Sequence, residues 1–186
     1  MAMEHKIIFA GPVGSGKTTS ISSVSDIMVV GTEAKASDDV ALRKANTTVA
    51  MDYGVLNLEG GMKVHLYGTP GQDRFNFMWE ILSEGAMGFV ILIDSLRPDP
   101  LGDLETYIKA FGKPIAKSGD ALVIGVTRTE NNRHTDLLDR VNERLAAAKL
   151  MVPAFEVDGR KREDVKQLLL ALLALLDPTT SRSRTA

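Results

Sequence analysis

Gly11-Pro12-Val13-Gly14-Ser15-Gly16-Lys17-Thr18 fits the pattern G-x-x-x-x-G-K-[ST] and lies between the apolar run Lys6-Ile7-Ile8-Phe9-Ala10 and a segment able to start a helix. The apolar run reads as a buried strand. Glycines let the main chain fold tightly around an anion, so successive N–H groups and the positive end of the helix dipole converge on phosphate oxygens. In such a loop Lys17 reaches the terminal phosphates and the Thr18 hydroxyl ligates Mg²⁺. Gly11, Val13, Gly14, Ser15, Gly16, Lys17, Thr18 and Thr19 are therefore the expected phosphate and metal contacts, with Lys17 also acting on the transferred phosphate. The bland alternative is a glycine-rich turn with an incidental lysine; the strand–loop–helix context speaks against it.

The chain has 186 residues, a length suited to one domain, expected over residues 1–176 with a short polar, flexible tail over 177–186. A formal net charge of -2 gives no general electrostatic reason to bind nucleic acid or an anionic membrane. The absence of cysteine excludes disulfides, thiolate metal sites and cysteine nucleophiles. The apolar runs fall short of the roughly 20 residues that a membrane span needs. Met1-Ala2 is not a myristoylation start, and no cysteine is present to prenylate. A cytoplasmic protein without an intrinsic membrane anchor is the resulting expectation.

Strand-like runs alternate with helical patterns, which predicts an α/β fold with a mainly parallel sheet covered on both faces. Residues 26–46 have mixed polarity and read as a long loop. Residues 49–58 and 62–67 form an antiparallel pair around Glu59-Gly60-Gly61. A helix is expected at 76–84, a fully apolar strand ending in Asp94 at 88–94, and a helix near 101–111. A buried strand follows at 121–126. Leu137, Leu138, Val141 and Leu145 recur at helical spacing on one face. Residues 154–157 supply a last strand, and 163–176 a helix whose apolar end is expected to bury against the sheet.

At Thr48-Val49-Ala50-Met51-Asp52-Tyr53 and Gly68-Thr69-Pro70-Gly71-Gln72-Asp73-Arg74-Phe75 the chain resembles the Ras-like small GTPases over residues 5–176. The nearest resemblance is to the ADP-ribosylation-factor branch and the bacterial gliding-motility (MglA-like) branch. It implies a P-loop NTPase three-layer sandwich with a mostly parallel six-stranded sheet and one antiparallel edge strand. Thr48 matches the switch threonine that closes on Mg²⁺, with Thr47 as the neighbouring alternative. Gly71 matches the glycine whose amide meets the γ-phosphate, and Gln72 the glutamine that orients the attacking water. Arg43 and Arg74 are the candidates in this chain for a transition-state cation.

Two motifs depart from the family pattern. Gly68 stands where the family has an aspartate that supports Mg²⁺ through water; Asp94 or Asp52 are possible replacements, against the ordinary reading that each caps local backbone. The family's guanine motif aligns with Thr127-Arg128-Thr129-Glu130, in which Glu130 keeps a carboxylate able to accept both guanine N–H groups and Arg128 lies across the base. Val157-Asp158-Gly159-Arg160 aligns with the last base-binding loop, giving Asp158 and Gly159 as contacts. The resemblance thus implies a GTP-hydrolysing switch that binds GTP or GDP with Mg²⁺, and partners consisting of a roadblock-type activating protein and an effector. An ATP-dependent small-molecule phosphotransferase and a nucleotide-binding interaction module with little hydrolysis are the alternatives.

Overall fold

The computed structural model describes residues 5–31, 51–71, 76–131 and 136–176. Its elements are β1 (His5–Ala10), α1 (Lys17–Val24), β2 (Val30–Gly31), β3 (Asp52–Asn57), β4 (Lys63–Gly68), α2 (Asn76–Ser83), β5 (Gly88–Asp94), α3 (Pro100–Lys117), β6 (Leu122–Thr127), α4 (Leu137–Ala147), β7 (Ala154–Val157) and α5 (Arg162–Leu176). The strands form one sheet in the order β2-β3-β4-β1-β5-β6-β7. β4, β1, β5, β6 and β7 pair in parallel, while β3 runs against both β2 and β4.

Side-chain alternation on the central strands builds the two outer layers. Ile8 and Ala10 of β1, with Phe89, Ile91 and Ile93 of β5, share a core with Trp79 of α2, Leu104, Tyr107, Phe111 and Ile115 of α3, and Val141 and Leu145 of α4. Their neighbours Ile7, Phe9, Val90 and Leu92 face the other way, onto Ile21 and Val24 of α1 and Val165, Leu168 and Leu172 of α5. The α5 face is admitted closely because Gly88 and Gly125 have no side chains there. A Cβ built at Gly88 would lie 2.9 Å from Leu172 Cδ2, and one at Gly125 would lie 3.2 Å from Leu168 Cδ1. The apolar end of α5 therefore buries against the sheet, as its composition predicts.

The sheet has seven strands where six are expected. The additional one is β2, two residues long, within the segment read as loop; Val30 pairs with Tyr53 and Gly31 with Asp52. It displaces the antiparallel strand from the edge, so β3 is second in the sheet. The mixed polarity of residues 26–46 hides so short a strand, and residues 32–46 lie outside the described ones. α3 also runs past Phe111 to Lys117, with Pro114 inside its last turns. Asp99 caps its start by accepting from the Gly102 amide at 3.0 Å, with Pro100 at a first-turn position where a missing N–H costs little. The hairpin turn is a short 3₁₀ segment in which Gly60 and Gly61 take φ of 80° and 78°, a region that favours glycine.

Candidate functional site

The carboxyl ends of β4, β1, β5 and β6 converge on one rim of the sheet, the usual place for a ligand in a parallel α/β fold. Residues 11–16 leave β1 there and turn directly into α1. Gly14 and Gly16 take φ of 80° and 94°, which lets the loop curl back over the helix start. Gly16 is the cap residue of α1 and supplies no side-chain acceptor, and the first turn contains no acidic residue. The first-turn amides have no intrahelical acceptor, so the helix presents its positive end to whatever anion enters the loop.

Lys17 is 8% exposed and donates from Nζ to the carbonyls of Gly11 at 2.7 Å and Pro12 at 2.8 Å. Burial lowers its pKa to about 8, an effect partly opposed by the negative charge of Asp52. The sign for folding stability follows from proton binding. Between pH 8 and the ordinary lysine value of 10.5 the unfolded chain holds a proton that the folded chain has released, so stability rises with pH across that window. The rise attributable to Lys17 is expected to be about 3 kcal/mol. Urea denaturation at pH 8 and pH 10.5 checks it: the parent gains relative to Lys17→Met, and parallel pH profiles for the two would refute the assignment.

Thr18, one residue further, donates its hydroxyl to Asp52 Oδ2 at 2.6 Å. Asp52 is paired in register with Gly68, so its carboxylate reaches the loop from β3 across a residue with no side chain. Asp94, the other carboxylate considered as a replacement for the missing aspartate, is engaged elsewhere. Its Oδ1 accepts from the Leu96 amide at 2.9 Å and its Oδ2 lies 3.5 Å from Arg128 Nη1. Asp94 thus serves the backbone and an ion pair, and of the two only Asp52 faces the Thr18 hydroxyl.

Gly71 lies directly on the phosphate loop. A Cβ built there would sit 2.5 Å from the Val13 nitrogen, closer than any side chain tolerates. The segment leading to it is anchored at both ends. Thr69 donates its amide and hydroxyl to the Phe9 carbonyl, at 2.9 and 3.3 Å. Trp79 Nε1 donates to the Pro70 carbonyl at 3.0 Å, and the Tyr107 hydroxyl donates to the Gly71 carbonyl at 3.4 Å. Trp79 and Tyr107 stack with ring centroids 4.9 Å apart.

Beside the loop lies a cleft of about 310 Å³ lined by Ser15, Gly16 and Thr19 on one side and by Leu96, Thr127, Arg128, Glu130, Asp158, Gly159 and Arg160 on the other. The residues anticipated for base recognition are therefore brought together. Thr127 is buried, and its hydroxyl donates to the Ser15 carbonyl at 3.0 Å, so it also fastens the loop to β6. Gly159 is held close to α1: a Cβ there would lie 2.6 Å from Ser20 Oγ. Glu130 Oε1 accepts from Arg160 Nη2 at 2.9 Å, and Arg160 also donates from Nε to Asp158 Oδ1 at 2.8 Å. These bonds from Arg160 hold the Asp158 carboxyl at about 2.

Thr47, Thr48, Arg43, Gln72 and Arg74 lie outside the described residues, as does the 177–186 tail. Arg160, Leu96, Trp79 and Tyr107 belong to the site or its supports but are not among the residues indicated by sequence reading. Arg160 was within reach of it, as the residue after the Asp158-Gly159 turn; Trp79 and Tyr107 act through a fold-dependent contact that no local pattern encodes. Among the described residues no helix is long and apolar enough to cross a membrane.

A family model described as "Conserved hypothetical ATP binding protein" matches residues 26–113, which is less than half of the chain and begins after the phosphate loop. An uncharacterized protein of Methanocaldococcus jannaschii is 33% identical over 94 residues, covering 50% of this chain and 53% of that protein. Human Ras-related protein Rab-12 is 21% identical over 171 residues, covering 90% of this chain and 65% of its own length. The chain thus spans between about half and two thirds of these two relatives. Ras-related protein SEC4 of Candida albicans is 24% identical over 176 residues, with 87% of this chain and 83% of that protein covered. Among solved structures, the G domain of the T. maritima FeoB iron transporter superposes with a TM-score of 0.65 at 15% identity, covering 94% of this chain and 99% of that one. The fold is that of a P-loop GTPase G domain, and the Ras-related relatives support the P-loop GTPase superfamily.

Proposed function

We propose that this chain is a guanine-nucleotide switch that binds GTP or GDP with Mg²⁺ and hydrolyses GTP, of the ADP-ribosylation-factor-like and MglA-like kind. The observation that carries the reading is the contact of Gly71 with Pro12 and Val13, which joins the segment after β4 to the loop that would hold the γ-phosphate. Gain or loss of that phosphate is then felt at Gly71, and through it at residues 72–75, which a partner would read. The Ras-related relatives support the same reading.

In this reading the loop amides and Lys17 would hold the β- and γ-phosphates, and Thr18 and Thr48 would contribute oxygen ligands to Mg²⁺, which would neutralise negative charge on the phosphates. Gln72 orients a water whose oxygen bonds to the γ-phosphorus as the β–γ anhydride bond breaks, leaving GDP and inorganic phosphate. Arg43 or Arg74 supplies positive charge at that moment. A roadblock-type activating protein and an effector are the partners this mechanism calls for. Glu130, with Arg128 across the ring and Asp158 and Gly159 at its edge, selects guanine.

A second reading has one supporting observation: the matching family model is described as ATP-binding. It corresponds to an ATP-dependent phosphotransferase or to a module that binds nucleotide without turning it over. Competition between GTP and ATP for the purified protein decides among them. GTP is expected to displace a fluorescent guanine nucleotide at a concentration at least about tenfold below ATP, because a carboxylate accepting two N–H groups finds no matching donors on adenine. Preference for ATP would overturn the Glu130 assignment, and phosphate release that no partner accelerates would favour the non-hydrolysing module.

A further inference from the structure

Three features meet around Thr18. Its hydroxyl donates to Asp52 Oδ2 at 2.6 Å, its residue closes the phosphate loop at the start of α1, and Gly68 lies directly across from Asp52 in the β3–β4 register. A hydroxyl that serves as a ligand to a hard cation must turn a lone pair towards the ion and its proton away from it. Asp52 is the acceptor of that proton, so the Thr18 oxygen is already oriented for a cation placed between it and the phosphates. A carboxylate in the next shell also accepts from the waters that a small divalent cation retains and raises the basicity of its ligands.

The space for this carboxylate exists because residue 68 is glycine. A Cβ at Gly68 would lie 3.0 Å from Asp52 Oδ2, 3.1 Å from Asp52 Cβ and 3.2 Å from Ile21 Cδ1. A side chain on β4 and the carboxylate on β3 therefore compete for one volume. Asp52 also belongs to the face of β3 that packs on α1: Gly54, two residues on, would place a Cβ 2.7 Å from Ile21 Cγ2. The carboxylate is thus held by a paired strand on one side and by the helix that carries Thr18 on the other.

We propose that Asp52 is the positioning carboxylate for the divalent cation of this site, delivered from the antiparallel strand β3 into the volume that Gly68 leaves open on β4. The inference rests on the nucleotide reading above and adds to it which residue stabilises the metal.

The test is the release rate of a fluorescent GDP analogue from the full chain, measured against Mg²⁺ concentration, with each protein's rate in EDTA as its own reference. Asp52→Asn keeps the shape of the side chain and an oxygen to accept from Thr18, and removes the charge. It is expected to move the Mg²⁺ midpoint upward by about 10–100-fold, the usual cost of losing an outer-shell partner. The exchange Asp52→Gly with Gly68→Asp is expected to bring the midpoint back towards the parent value, because the carboxylate returns from the other strand. Coincident midpoints for the parent and Asp52→Asn would overturn the proposal while leaving nucleotide binding intact. Failure of the parent to take up the nucleotide at all would instead refute the nucleotide reading and the metal role with it.

Discussion

Lys17→Ala is expected to lower the affinity for guanosine triphosphate by about 10²–10⁴-fold, since hydrogen bonds to charged groups are worth about 1.5–3 kcal/mol each and in the proposed site the ammonium would reach two phosphates. The loss comes without unfolding. In the ligand-free chain the ammonium is buried against two carbonyls, and burial has already lowered its pKa to about 8, so removing it relieves a desolvated charge. Titration calorimetry checks the affinity and thermal denaturation checks the fold. An unchanged dissociation constant in a variant with native melting behaviour would remove Lys17 from the phosphate site.

Gly11→Ala is expected to damage both the fold and the site. Gly11 takes φ of 146°, and a Cβ there would lie 2.3 Å from the Leu92 carbonyl oxygen and 2.7 Å from Ser15 Oγ. Leu92 is in β5, the strand hydrogen-bonded beside β1, so the obstacle is sheet backbone that cannot move aside. Strain of this kind costs about 3 kcal/mol, equivalent to roughly 6–12 °C in melting temperature for a chain of this size. Any relaxation would push the loop away from β5 and lift the Gly11 carbonyl off Lys17. Calorimetric melting with and without nucleotide separates the two effects, and a melting temperature equal to the parent's would show that the close approach is not required.

Much of this architecture was legible because the same residues carry signals at two levels. The run Ile7 to Ala10 reads as buried from its composition, and the loop that follows fixes where that strand ends, so β1, the phosphate loop and α1 emerge together. Leu137, Val141 and Leu145 announce the buried face of α4 by spacing alone, and all three are buried. β2 escaped because two residues cannot display a period, and its pairing with β3 is a tertiary event. The pairing of Asp52 with Gly68 shows a different limit. Each residue has an ordinary local explanation, one as a strand-start carboxylate and the other as a strand-end glycine. Their joint meaning depends on a register set by a hairpin, which places them opposite each other. The clasp of Arg160 on Glu130 and Asp158 likewise joins two loops that are 30 residues apart in the chain.

Trp79 is the chain's sole tryptophan, and its indole N–H is bonded to the carbonyl of Pro70, immediately before the glycine that rests on the phosphate loop. Indole emission responds to loss of a hydrogen-bond partner and to the approach of water. The protein therefore carries its own optical gauge at the junction where phosphate chemistry would be converted into movement, with no dye needed to follow it.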